Sequence, residues 1–130
     1  CIVLYVEAKK IAEGKWEPYT DGGREKTGLD AIGWIKKGLD LGVGEILVSS
    51  IDQDGTRRGY DLDLIKAVTA FAHVPVIAHG GAGNPESFYK VIIEGKADAV
   101  SAASVFHYEE LHIPELKSYL SKQGINVRLI

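Results

Sequence analysis

Four short apolar runs, at 2–6, 45–49, 74–78 and 97–102, set the first limit on what this chain can fold into. Each is rich in Val, Ile, Leu or Ala and lacks strict alternation of apolar and polar residues. That pattern belongs to strands covered on both faces, as in parallel sheets. Helical patterns lie between them. Leu29, Ile32, Ile35 and Leu39 fall at helical spacing, with Gly42 as a stop. Leu62, Ile65, Val68 and Phe71 form a second stripe, with Asp61 as its N-cap. Asn84 and Pro85 open a third helix over Phe88, Val91 and Ile92, and Gly95 ends it. Pro114 opens a fourth that buries Leu116, Tyr119 and Leu120 before Gly124. The predicted order is βαβαβαβα. Such units, joined by right-handed crossovers, fit a small doubly wound sheet or half of a (β/α)₈ barrel, which takes about 250 residues.

Composition narrows the function classes. The chain has 130 residues, 45% apolar and 25% charged, which fits one globular domain over 1–130. A net charge of −3 without a basic run gives no electrostatic footprint for nucleic acid or an anionic membrane. Residues 67–85 carry no Asp, Glu, Lys or Arg, but Pro75, Pro85 and a glycine run break them up. A helix spanning a bilayer needs about 20 predominantly apolar residues. The expectation is a soluble cytoplasmic protein. Cys1 alone makes no intramolecular disulfide, and the four histidines at 73, 79, 107 and 112 have no zinc spacing, so neither metal nor cofactor is expected. The chain has no Met and begins inside an apolar run, which reads as a start partway through a larger protein or as a trimmed piece.

In both architectures chemistry gathers at the carboxyl ends of the strands. After the first run stands Glu7 beside Lys9 and Lys10, a candidate general acid or base or a solvated charge cluster. The loop at 20–28 holds Gly22 and Gly23 with Arg24 and Lys26, suited to a mobile anion-binding loop or a flexible tip. After the second run come Asp52, Asp54 and Gly55. A calcium loop fails here, because position six from Asp52 is Arg57 and position twelve is Asp63. One carboxylate then orients substrate or simply builds a turn. His79, Gly80 and Gly81 follow the third run and lead into the Asn84-capped helix, where backbone N–H groups suit a phosphate. His79 is an acid/base group or a polar filler. Ala103 and Ser104 follow the fourth run and suit a short helical turn that completes a phosphate cup.

The series VEAKK, TDGGREKTG, GEILVSSIDQDGTRRGYD, PVIAHGGAG, ADAVSAASVFH and INVRLI resembles the carboxyl-terminal half of the HisF family. HisF proteins are the cyclase subunits of imidazole glycerol phosphate synthase in histidine biosynthesis. The resemblance covers essentially the whole chain. It implies strands five to eight of a (β/α)₈ barrel, with the amino-terminal half absent. It implies a lyase that uses ammonia from the glutaminase subunit HisH. The bis-phosphorylated formimino-ribulosyl substrate is converted to imidazole glycerol phosphate and aminoimidazole carboxamide ribotide. Glu7 falls where the family has a catalytic Asp, and Asp52 on an active-site carboxylate. Asp54, Gly55, Gly81, Ala103 and Ser104 fall on the phosphate site, with Gly80 beside them. Glu45 falls on a charged gate for ammonia, and Gly22 and Gly23 on the loop that closes over substrate. His79, counted with the phosphate- and substrate-binding residues, stands where the family usually has Ser. A half-barrel would leave two strand edges and an apolar inner face for the other half or for a second copy of itself. The alternatives are a non-catalytic phosphate-binding half-barrel that self-associates, and a sugar-phosphate isomerase like the sister family HisA, which shares the DGT turn but is expected to end differently after its last strand.

Overall fold

The computed structural model describes residues 1–129. Six strands form one sheet: β1 (Val3–Ala12), β2 (Lys15–Thr20), β3 (Glu25–Lys26), β4 (Glu45–Ser50), β5 (Val76–His79) and β6 (Ala99–Val100). The spatial order is β3-β2-β1-β4-β5-β6. The helices are α1 (Ala31–Asp40), α2 (Leu62–Thr69), α3 (Pro85–Ile93), α4 (Ser104–His107) and α5 (Ile113–Lys122).

Strands β1, β4, β5 and β6 are parallel and adjacent in chain order. Each right-handed crossover adds the next strand on the same side, so successive helices fall on one face. Side-chain burial follows this. Val6, Ala8, Ile46, Val48, Val76 and Ala78 are all at most 2% exposed. They pack against Ile35 and Leu39 of α1, Leu64, Ile65 and Val68 of α2, Phe88 and Val91 of α3, and Leu116 and Leu120 of α5. Each fully buried side chain of this size contributes about 1.5–3 kcal/mol relative to exposure. The intervening residues Tyr5, Leu47 and Ile77 point to the other face and keep part of their surface in solvent. A doubly wound sheet would bury both faces. This sheet is instead a piece of (β/α)₈-barrel wall, with one helix-covered face and one uncovered face.

The helix starts follow local chemistry. Asp61 accepts from Leu64 N–H at 3.0 Å, and Asn84 and Ser87 form a capping box with Pro85 in the first turn. α1 is capped by Asp30, which leaves Leu29 outside the helix and 45% exposed.

The simple βαβαβαβα order is not what the chain adopts. β1 continues to Ala12 and turns back through Glu13 and Gly14 into β2, an antiparallel partner along Glu7–Ala12. Trp16 and Pro18 are buried on the helix-covered face, while Glu17 and Tyr19 alternate with them. Pro18 hides this strand in the sequence, because a proline inside a run argues against a central strand. The hairpin also covers one of the two edges expected to be free, from Glu7 onward. The last strand shrinks from 97–102 to Ala99–Val100. Among the described residues no helix is long and apolar enough to cross a membrane.

Candidate functional site at the strand ends

Parallel pairing aligns a row of polar side chains on the uncovered face. Glu7 of β1 is level with Ser49 of β4, and Ser49 is level with His79 of β5. Ser101 follows β6, and its N–H donates to the Ala78 carbonyl, which brings it beside His79. The His79 Nδ1 lies 3.1 Å from the Ser101 Oγ. The row therefore runs carboxylate, hydroxyl, imidazole, hydroxyl across three neighbouring strands and the residue that follows the fourth. Tyr5, two residues before Glu7 and on the same face, donates its hydroxyl to Glu7 Oε1 at 3.2 Å and also meets Ser49. Burial raises the Tyr5 phenol above its ordinary value, the Ser49 hydrogen bond opposes this, and the Glu7 charge adds to the rise. The phenol thus stays a hydrogen donor to the carboxylate.

The loop after β4 crosses the loop after β5. Gly59 N–H donates to the Gly81 carbonyl at 2.7 Å. A Cβ on Gly81 would stand 2.1 Å from the Gly59 oxygen, and one on Gly80 would stand 2.9 Å from the Ser50 oxygen. Both glycines have positive φ, at +108° and +90°. The glycine run thus has a packing cause of its own: two backbones touch where no side chain fits. Gly55 differs. It has φ +74° and nothing within 4 Å of where a Cβ would stand, so its backbone faces open space. Asp54 N–H donates to the Ser50 carbonyl at 2.9 Å, which fixes the Asp54–Gly55 turn over the end of β4.

Ala103 precedes α4 and Ser104 opens it, with no side-chain cap on that helix. Arg57 ties this end to the β4 loop by pairing with Glu110, and its guanidinium lies 5.4 Å from the Tyr108 ring centroid. Gly22 and Gly23 form the turn between β2 and β3, and a Cβ on Gly23 would stand 3.3 Å from Ile51 Cδ1. That turn therefore lies against the residue that follows β4. Arg24 folds back on Asp21, donating to its carbonyl at 2.9 Å.

Two carboxylates lie apart from the row. Asp52 accepts from Lys10 N–H at 2.7 Å and lines a groove with Glu13, Tyr60, Asp61 and Asp63, which Glu7 and His79 do not line. Glu45 begins β4 level with Val3, at the opposite end of the sheet from the glycine loops. Tyr5, Ser49 and Ser101 join the row without any motif to mark them. Counting in twos back from Glu7, or matching Ser49 and Ser101 by strand register, is the signal that finds them.

Among the described residues no group of three or more His, Cys, Asp or Glu could hold a metal ion. A polar row with glycine loops at the carboxyl ends of parallel strands is where barrel enzymes of this architecture bind and act. The model of the family "Histidine biosynthesis protein" matches residues 1–112, and the chain belongs to that family of histidine-biosynthesis barrel enzymes.

Proposed function

We propose that this chain acts as the strand-five-to-eight part of a HisF-type cyclase. Glu7 handles protons. Asp54, Gly55, Gly80, Gly81, Ala103 and Ser104 hold one phosphate of a bis-phosphorylated sugar-linked substrate, and Gly22 and Gly23 close over it. Asp52 orients the loop beside this site through its bond to Lys10. Ammonia enters at the opposite end, past Glu45, from a glutaminase subunit docked there. The observation that supports this most is Glu7 on the uncovered face, level with Ser49 and His79 and flanked by the glycine loops. Acid/base work needs a group within hydrogen-bond reach of the reacting atoms, on rigid elements that hold it there.

The test is turnover with ammonia, measured on the chain alone and with a separately supplied amino-terminal half-barrel. Turnover to imidazole glycerol phosphate is expected only with both. Full turnover by the chain as a monomer, or none with both halves present, overturns the reading. An isomerase assay on the same samples separates it from a HisA-like activity.

A further inference from the structure

The reading above gives this chain one proton-handling group, Glu7. We propose that His79 is a second, transferring a proton at Nε2 while Ser101 holds its Nδ1; this rests on that reading for the identity of the substrate.

The case begins with placement. His79 ends β5, on the same face and level as Glu7, with Ser49 between them. Two strand spacings separate the two backbones, about 9–10 Å, a gap that a small substrate fills between the two side chains. His79 is neither sealed in the core nor fully solvated. Its Nδ1 has a partner at 3.1 Å in Ser101 Oγ. Among the described residues no side chain or backbone group is hydrogen-bonded to Nε2, which lies on the far side of the ring. An imidazole gripped at one nitrogen and open at the other is the arrangement a proton-transferring histidine requires.

Ser101 is itself fixed. Its N–H donates to the Ala78 carbonyl at 2.8 Å, and its carbonyl accepts from the Tyr60 hydroxyl at 3.0 Å. The grip on Nδ1 is therefore anchored at the backbone on both sides. The groups around the imidazole are few. β4 presents Ser49, β6 leads into Ser101, and the β4 loop brings Asp54 against Gly80, where a Cβ would stand 3.5 Å from the Asp54 Cβ. Glu7 lies two strands along the same row. Ser101 is the positioning residue, and His79 the group that meets substrate.

Two measurements test this. In the isotope-labelled full chain, the two His79 ring nitrogens are followed by NMR, which reads the tautomer directly. We expect the neutral ring to keep its proton on one nitrogen while Ser101 holds Nδ1. Ser101→Ala should turn that neutral form into a mixture of tautomers. A wild-type ring already mixed between tautomers, or a tautomer unmoved by Ser101→Ala, overturns the proposal.

In the barrel completed with its amino-terminal half, His79→Ser should lower kcat by about 10²-fold with KM unchanged. His79→Gln, which hydrogen-bonds but cannot take up and release a proton, should not restore it. Full rate in His79→Gln overturns the proposal. A wild-type barrel without turnover overturns the cyclase reading alone, because the tautomer measurement still decides whether Ser101 positions His79.

Discussion

Tyr60 donates its hydroxyl to the Ser101 carbonyl at 3.0 Å, tying the segment before α2 to the strand end that holds His79. Tyr60 is 6% exposed, and its ring meets Phe88 edge-on with centroids 5.8 Å apart. Burial pushes the phenol well above its ordinary value. The folded chain thus keeps the Tyr60 proton after the unfolded chain has lost it. Stability from this group is complete below about pH 10 and is lost as pH rises beyond it. Tyr60→Phe should cost about 0.5–1.5 kcal/mol at neutral pH, through the lost hydrogen bond. It should also flatten the fall in stability above pH 10. Urea unfolding at a series of pH values checks both, and parallel curves for the two proteins would count against the assignment.

Two glycines of the phosphate reading separate packing from binding. Gly81→Ala meets the Gly59 carbonyl and keeps an unfavourable φ, so it should lose about 3 kcal/mol. Gly55→Ala meets nothing and should lose about 1–2 kcal/mol, from its φ alone. The same Gly55→Ala change should weaken binding of a phosphate ester such as glycerol phosphate severalfold, since a methyl then stands where the backbone is open. Urea midpoints and calorimetry read these outcomes. Equal losses at the two positions would contradict the crossing of the loops.

The contact between Tyr5 and Glu7 predicts a graded effect on turnover in the completed barrel. Glu7→Gln keeps the shape and removes the proton acceptor, so kcat should fall about 10²–10⁴-fold. Tyr5→Phe removes one hydrogen bond to the carboxylate and leaves its charge, so the fall should be roughly tenfold, about 1.4 kcal/mol. KM should hold steady in both. A KM effect without a kcat effect would mean that these residues bind substrate rather than move protons.

Local chemistry made the helices legible. Asp61, Asn84 and Pro85 announce helix starts because their side chains or rings satisfy the first turn by themselves, with no need of distant partners. The apolar runs announced parallel strands because they carry apolar residues on both faces, although only the helix-covered face is sealed from solvent. The β2 hairpin was not legible, because its pairing depends on β1 and its Pro18 imitates a strand breaker. The polar row was half legible. Glu7 and His79 stand out as titratable groups near glycine-rich or charged segments. Ser49 and Ser101 look like ordinary strand filler until register places them beside the imidazole. The strand end alone does not divide the roles of Asp52 and Asp54, and the resemblance places Asp52 on an active-site carboxylate; the fold shows it bonded to Lys10 and lining a groove apart from Glu7 and His79.

The hairpin and α2 are joined by one carboxylate with two duties. Asp61 Oδ1 accepts from Leu64 N–H at 3.0 Å as the helix cap, and its Oδ2 accepts from the Trp16 indole N–H at 3.0 Å. Trp16 is 2% exposed, so its N–H has little access to water if that oxygen is removed. Asp61→Ala should therefore cost about 2–4 kcal/mol, adding the loss of a cap to an orphaned buried donor. Trp16→Phe alone leaves the cap in place and should cost about 1–3 kcal/mol, from lost packing and the lost bond. The double variant should cost less than the sum of the two, because the indole bond is counted in both. Amide exchange should show β2 opening more readily in each single variant, since the hairpin loses its tie to α2. Strict additivity in urea unfolding would mean that Trp16 and Asp61 do not act as a pair.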